Sequence, residues 1–446
     1  MVRRTLVPLA ALLLFTACAS PGSPDPFAGF GPDPNLPPPQ KSLLPVLGAA
    51  KAVGWPQGVA PTAPPGFVVT RFAGGLPHPR WLHLLPNGDV LVAQSSSEPH
   101  PAKGLRDWVQ QKVQKSAGAL MESPDNILLL RDADGDGIAE VREVFAEGLQ
   151  RPSGMALVGE SLFVANDDAL VRLPYRTGDL KAAGPPVKVV DLPSGINHHW
   201  VKNVVASPDG SRLYVTVGSN SNVAENGMAA ERDRAAIHQL NPDGTGMRLY
   251  ASGLRNPNGM AFEPVTGALW TAVNERDEIG NDLVPDYMTA VREGGFYGWP
   301  YSYYGRHVDS RVKPQRPDLV ARALVPDYAL GPHTASLGLT FYRAQAFPGR
   351  YRGGAFVGQH GSWNRQPKNG YRVVFIPFAN GRPSGPPEVF LGGFLNSRGQ
   401  ARGRPVDVAV DARGALLITD DAGGAVWRVA PAAAPPEVDG AAAPAG

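Results

Sequence analysis

The sequence predicts an all-β fold, a six-bladed β-propeller with four-stranded antiparallel blades. Three observations lead there. A turn bearing Gly or Pro sits beside a short β-rich run six times along the chain. The runs recur at intervals of about 50 to 90 residues, which leaves room for four strands and insertions in each unit. With 52 glycines and 46 prolines among 446 residues, punctuation is too dense for long helices and suits short strands joined by turns. A pair of β-sandwiches would not explain one recurring unit, whereas radial repetition does, and it protects the sheet edges.

The first unit is Pro86-Asn-Gly-Asp-Val-Leu-Val-Ala93, the second Met155 to Ala165 around Gly159, and the third Pro208-Asp-Gly-Ser-Arg-Leu-Tyr-Val-Thr216. The fourth runs from Met260 to Thr271 around Gly267, the fifth from Phe347 to Val357, and the sixth from Val408 to Ile418 around Gly414. Each reads as an inner strand, a tight turn and a second strand. The best helical stretch, about Leu105 to Met121, is expected as an insertion between blade strands.

Outside the repeats the chain divides into three further parts. Residues 1–18 read as a lipoprotein signal: Arg3-Arg4, an apolar run from Leu6 to Phe15, and Cys18, the only cysteine, as acylation site. Residues 19–66, with Pro-Asp-Pro-Asn-Leu-Pro-Pro-Pro, are expected to be an extended tether. Residues 67–430 form the propeller, and 431–446, rich in Ala and Pro, a disordered tail. The expected location is therefore an exported protein, lipid-anchored on the periplasmic or outer-membrane side. A single cysteine excludes an internal disulfide. With 42 basic and 40 acidic residues, no net field argues for nucleic acid as a partner.

Candidate chemistry begins at His198-His199-Trp200, read as opening a strand before Pro208-Asp-Gly. Neighbours on a strand face opposite ways, so the two histidines should have separate fates, with His199 the catalytic base at a channel mouth or a satisfied turn histidine. Arg255 and Asn256 stand ahead of the next inner strand, and inner-strand starts converge on one end of a propeller channel. A base, a fixed cation and an amide there could abstract a proton and stabilise a developing oxyanion, although Arg255 could equally be an ion pair between blades. The loop Asn274-Glu-Arg-Asp-Glu-Ile-Gly-Asn-Asp282 offers oxygen donors to a hard cation, or is simply a solvated loop. A separate stretch, Asp132-Ala-Asp-Gly-Asp-Gly-Ile-Ala-Glu-Val-Arg-Glu143, matches a calcium loop. Asp132, Asp134 and Asp136, the Ile138 carbonyl and a closing Glu143 are its expected ligands, and a plain Asp-Gly hairpin is the other reading.

Taken in order, these motifs resemble a family. His199 nine residues before Pro208, Leu254-Arg-Asn-Pro-Asn-Gly-Met-Ala-Phe262, the acidic loop and Gly294-Gly-Phe-Tyr-Gly-Trp-Pro300 are similar to the pyrroloquinoline quinone (PQQ)-dependent soluble aldose and glucose dehydrogenases. Val217-Gly-Ser-Asn-Ser-Asn222 and Gly358-Gln-His-Gly-Ser-Trp-Asn-Arg365 bring it closest to the sorbosone dehydrogenase branch. The resemblance implies oxidation of a sugar or sugar-derived aldehyde, with His199 as base and Arg255 and Asn256 beside PQQ. It implies Ca²⁺ on the backbone carbonyls of about Glu275 and Arg276, Arg404 on a PQQ carboxylate, and an external electron acceptor. Gln359-His360 stand where the aldose dehydrogenases carry a lysine, and His360 and Arg365 are the expected substitutes. His198 stands where relatives carry an aspartate and is expected to orient its neighbour. The rival readings are a non-catalytic carbohydrate- or protein-binding propeller and a calcium-dependent lactonase, since a fold does not fix a function.

Overall fold

The computed structural model describes residues 21–40, 48–97, 101 and 104–432. Cys18 and the tail beyond Ala432 lie outside the described residues. Six four-stranded antiparallel blades stand around a central channel, as the repeats predict. Their inner strands are Pro79–Leu84, Met155–Val158, Val204–Ala206, Pro257–Phe262, Ser336–Phe341 and Pro405–Val410. Each of the six turn motifs lies in the hairpin that joins an inner strand to the second strand of its blade.

Why these runs form blades follows from their two-sided burial. In Val90-Leu91-Val92-Ala93 every side chain is buried. Val90 and Val92 pack towards blade six with Leu417 and Val426, while Leu91 and Ala93 pack towards blade two with Met155 and Val164. Period-two alternation thus feeds two interfaces, which is why the strands read as continuous apolar runs rather than alternating ones. The same division recurs around the ring, so that one apolar cluster fills each junction between neighbouring blades.

The ring is closed by the N-terminal side of the domain. Strand Phe67–Gly74 joins blade six as its outermost strand, pairing antiparallel with Ala425–Pro431 from the far end of the chain. The helix Leu105–Ser116 lies between the second and third strands of blade one, as expected for that insertion.

The described part of 19–66 does not behave as a free tether. Phe30–Gly31 adds a short edge strand to blade four by pairing with Leu330 and Ala329. Trp55 packs against Phe394 and Trp427, with ring centroids 5.4 and 5.1 Å away, and donates its indole N–H to Asp420. Sparse aromatics between the prolines supply the burial that holds this stretch against the blades. Among the described residues no helix is long and apolar enough to cross a membrane.

Candidate active site at the mouth of the channel

Inner strands start at one end of the channel, and the loops between second and third strands return to that same end. These loops are long in blade three (218–235), blade four (274–284) and blade five (360–371), and very short in blade two, where Asn166–Asp168 turn the chain. The site is therefore a mouth with a rim of uneven height.

His199 lies on this rim, half-buried, in the loop ahead of Val204–Ala206. The expectation of a strand at His198-His199 is corrected here. The inner strand begins only at Val204, so alternation does not apply, and the two rings meet edge to face with centroids 4.6 Å apart.

His199 Nδ1 is 2.9 Å from the Ser219 carbonyl and 3.0 Å from Ser219 Oγ. The Ser219 hydroxyl gives its own proton to the Ser221 carbonyl, so it presents only lone pairs to the ring. Nδ1 must then carry the proton, and Nε2 keeps a free lone pair. Burial, then the charges of Arg255 and His198, hold the imidazole well below its ordinary pKa. A neutral ring with a basic Nε2 is the state a general base needs at neutral pH.

Asn256 and His199 close on Gly218 from two sides. A Cβ at Gly218 would stand 2.6 Å from His199 Cβ and closer still to Asn256 Oδ1. That Asn256 oxygen is buried and has no hydrogen-bond partner among the described residues. Arg255 is buried beside it, donating from Nη1 to the Glu275 carbonyl at 2.7 Å and from Nη2 to Asn222 Oδ1 at 2.9 Å. Its countercharge is Asp277, 3.8 Å away.

Asp277 also faces His333, whose Nδ1 is 3.1 Å from the carboxylate and whose Nε2 is 2.9 Å from the Gly280 carbonyl. Two acceptors on one ring require both nitrogens protonated. Burial acts most strongly against that charge, but the bond to Asp277, the Asp277 charge and the Gly280 carbonyl together raise the pKa. Burial likewise pushes the Asp277 carboxyl up, and the His333 bond and Arg255 charge more than reverse it. Neither Asp277 nor His333 was singled out by its residue type, because their pairing joins blade four to blade five.

The opposite wall is built around Arg404. Its guanidinium lies over the rings of Trp363 and Tyr371, 4.4 and 5.0 Å from their centroids, and Nη2 donates to the Tyr371 hydroxyl at 3.0 Å. Among the described residues it has no carboxylate partner, and its buried Nε has no partner at all. Arg404 Nη1 faces His360 Nδ1 at 3.4 Å, so the His360 Nε2–H donates to Asp421 at 2.9 Å. Both His360 nitrogens are thus spent on the protein. Burial pushes this ring down to about 4 despite Asp421. As a replacement for the missing lysine, His360 is corrected to a prop for Arg404.

Arg365 is not brought to the mouth. It is fully buried in a tie to the Asn281 and Ser23 carbonyls and to Asp282, which clamps the N-terminal stretch. Arg276 is spent in the same way, on Glu275, Asp309 and the Pro300 and Ser302 carbonyls. The Glu275 carbonyl already receives a guanidinium from Arg255, so a positive group stands where a metal ion was expected.

One pattern was legible and missed: a basic residue stands at or just ahead of each inner strand. Arg80, Arg151, Lys202, Arg255, His333 and Arg404 come one from each blade. Arg80 pairs with Asp421 at 2.6 Å and Arg151 with Asp167, and Trp200 lies between these two guanidinia, 5.7 Å from each. Lys202 is fully buried, donates to the Asp167 and Trp200 carbonyls, and is pushed down to about 7 by burial and then by Arg234.

The acidic loop of blade one lies at the far end of the channel, in the turn after Asn126–Arg131. Asp132, Asp134, Asp136 and Glu140 bring carboxylate oxygens within 4.8 Å of one another. Glu143, expected to close this loop, is already on the strand Val141–Ala146, where it pairs with Leu129 and lies 3.9 Å from Lys181. The exit from the loop is a strand, not a helix, so Glu140 takes the closing place. The Ile138 amide donates to Asp136 within the same turn.

Among known proteins, residues 86–362 match the model of a family described as a domain of unknown function, DUF7133, and residues 319–432 match one described as TrAA12-like. An uncharacterized protein of Borreliella burgdorferi is 29% identical over 341 residues, covering 72% of this chain and 87% of that protein. An aldose sugar dehydrogenase of Escherichia coli is 27% identical over 205 residues, 45% of this chain and 49% of the enzyme. In solved structures, the PQQ domain of a pyranose dehydrogenase from Coprinopsis cinerea in its holo form superposes with a TM-score of 0.66 at 20% identity. That match covers 86% of this chain and 100% of the domain, and the likeness is one of fold. Because the first of these matches spans more than half of its length, the chain belongs to the DUF7133 family.

Proposed function

We propose that the protein is a quinoprotein dehydrogenase that oxidises a sugar or a sugar-derived aldehyde, of the aldose or sorbosone-like class, with PQQ as cofactor. The observation that carries this reading is the ring of basic residues around a neutral histidine. Among the described residues Arg404 is a buried cation with no carboxylate partner, and Arg404 Nε and Arg80 Nε are buried donors without acceptors. Such donors suit a ligand with several carboxylates, and guanidinium forks are the matching group. Arg404 and Arg80 would hold PQQ, with Arg255 beside it as a fixed positive charge and Asn256 nearby. PQQ, when bound, supplies a quinone that accepts hydride from the substrate carbon.

The chain's own part is proton handling and charge. His199 Nε2 receives the proton that leaves the substrate hydroxyl, while Nδ1–H stays fixed on Ser219. Arg255 holds a positive charge beside the reacting atoms, and Asp277 with His333 keeps that guanidinium in place. The likeness in fold to a pyranose dehydrogenase domain and the partial identity to an aldose sugar dehydrogenase support the same substrate class. A lactonase needs acidic groups converging on a metal in the channel. Among the described residues the one such group is at the opposite end. That loop, Asp132 to Glu140, is where we place Ca²⁺ in a structural role. We read Cys18 as an acylated anchor on the periplasmic or outer-membrane side, and electrons as leaving to an external acceptor.

The test is dye reduction by the purified protein with PQQ and Ca²⁺ over a panel of aldoses and aldehydes. Turnover that requires PQQ and falls by orders of magnitude in His199→Ala is expected. Absence of PQQ binding, or full activity in His199→Ala, would overturn the reading.

A further inference from the structure

The stretch ahead of the propeller runs behind the wall that carries Arg404. Gly48 donates its N–H to the Trp363 carbonyl at 2.8 Å, and the Ala50 N–H reaches the Tyr371 hydroxyl at 3.2 Å. Trp363 and Tyr371 are the two rings under the Arg404 guanidinium. The Tyr371 hydroxyl gives its proton to the Ser362 carbonyl at 2.8 Å, so its lone pairs take the Ala50 and Arg404 donors together. Ala50 is 1% exposed, which closes this contact to water. The next residues pair with the loop that leads into Arg404. The Ala401 N–H donates to the Lys51 carbonyl and the Val53 N–H to the Ala401 carbonyl, both at 2.8 Å.

Trp55 adds support from the backbone side. Its indole N–H meets Asp420 Oδ2 at 2.6 Å, while Oδ1 accepts the Arg404 N–H at 2.7 Å. One carboxylate thus joins Trp55 to the Arg404 main chain. The joint has no slack: a Cβ at Gly403 would stand 2.0 Å from Asp420 Oδ2, and one at Gly423 2.6 Å from the Trp55 indole nitrogen. Burial pushes Asp420 up to about 6, and of the bonds that oppose this the one from Trp55 acts most. Without it the carboxylate is more readily protonated, and its hold on the Arg404 N–H weakens. None of these bonds from residues 48–55 touches the guanidinium, so Arg404 is fixed without being neutralised. A cation fixed in advance spares a ligand the entropy of ordering a long side chain.

We infer that residues 48–55 are part of the cofactor site, with Ala50 and Trp55 as positioning residues that act on Arg404 through Tyr371 and Asp420. This rests on reading Arg404 as the partner of a PQQ carboxylate.

The test measures PQQ binding to the full chain by calorimetry in the presence of Ca²⁺, beside backbone hydrogen exchange without PQQ. Trp55→Phe keeps a ring against Phe394 and Trp427 and removes the N–H. Its Kd for PQQ should rise about tenfold, the scale of one hydrogen bond to a charged group. Exchange in 401–405 should become several-fold faster. Phe27→Leu is the control, because it trims the same N-terminal side of the chain where Phe27 packs on Phe30 and Arg372, and it should leave both readouts unchanged. In an Arg404→Gln background, Trp55→Phe should weaken PQQ binding no further, since its effect runs through Arg404. An unchanged Kd in Trp55→Phe, an equal loss in Phe27→Leu, or additive losses in the double variant overturns the inference. If the unmodified protein binds no PQQ, the dehydrogenase reading falls by itself and exchange decides the positioning. Faster exchange in 401–405 of Trp55→Phe then upholds it, and unchanged exchange overturns it.

Discussion

A single methyl group at Gly218 should separate folding from catalysis. In Gly218→Ala the new Cβ would stand 2.6 Å from His199 Cβ, about 0.8 Å short of ordinary contact at 3.4 Å. His199 Cβ is fixed to its backbone, so relief requires the loop itself to move, and Asn256 must retreat on the other side. Overpacking of this kind costs about 1–3 kcal/mol, a loss that a large propeller can absorb. Displacing a base by about 1 Å, however, costs on the order of 10²-fold in rate. The assay is steady-state dye reduction at saturating PQQ, with circular dichroism melts as the folding control. Gly184→Ala serves as the matched substitution, because its Cβ would meet Pro174 at an ordinary 3.4 Å. A kcat in Gly218→Ala equal to that of the Gly184→Ala control would refute the placing of His199 and Asn256 as the reacting pair.

Three more outcomes follow from the same geometry. The imidazole of His199 is held below its usual value of 6.5 by burial first and Arg255 second, so the acid limb of kcat/KM should fall below pH 6.5. Removing that positive neighbour in Arg255→Gln should move the limb upward, and a limb above 6.5 in the unmodified protein contradicts a neutral base. Burial raises Asp407 to about 7 from 3.8 although it accepts the Leu82 N–H at 3.0 Å. The fold therefore favours the protonated acid, and stability is lost as pH rises from 3.8 through 7. Asp407→Asn should gain up to about 4 kcal/mol at pH 8 and nothing at pH 4, read from denaturant melts. Finally, Ca²⁺ at about a hundred times its dissociation constant should stabilise the protein by about 2.7 kcal/mol. Glu140→Gln should remove most of that gain, whereas Glu143→Gln should keep it, and the reverse order would restore Glu143 as the closing ligand.

The blades were legible because their signals are local. Turn residues such as Pro208-Asp-Gly and doubly buried runs such as Val90 to Ala93 need no distant partner to be recognised. The converging inner strands then placed Arg255 and Asn256 beside His199 correctly in space. What failed depends on partners far away in the chain. Trp55 is one aromatic in a Pro-rich stretch until Phe394 and Trp427 are brought to it by blades five and six. Arg365 looked like a ligand cation because its carbonyl partners, at Asn281 and Ser23, carry no mark in a sequence. The tautomer of His199 depends on Ser219, whose motif was noticed without its role. Glu143 was counted as the twelfth residue of the loop, and the strand beginning at Val141 turned it away.

Closing the ring with Phe67–Gly74 against Ala425–Pro431 has a consequence for how the protein is made. Of the strands that make up the six four-stranded blades, the outermost strand of blade six emerges first and its partner last. Throughout synthesis, a strand with unpaired edges must wait while five other blades appear, and the ring can lock only when the chain is nearly finished. A premature stop anywhere before Ala425 would therefore leave the first strand without its partner, and such a product is a substrate for proteases rather than a smaller propeller.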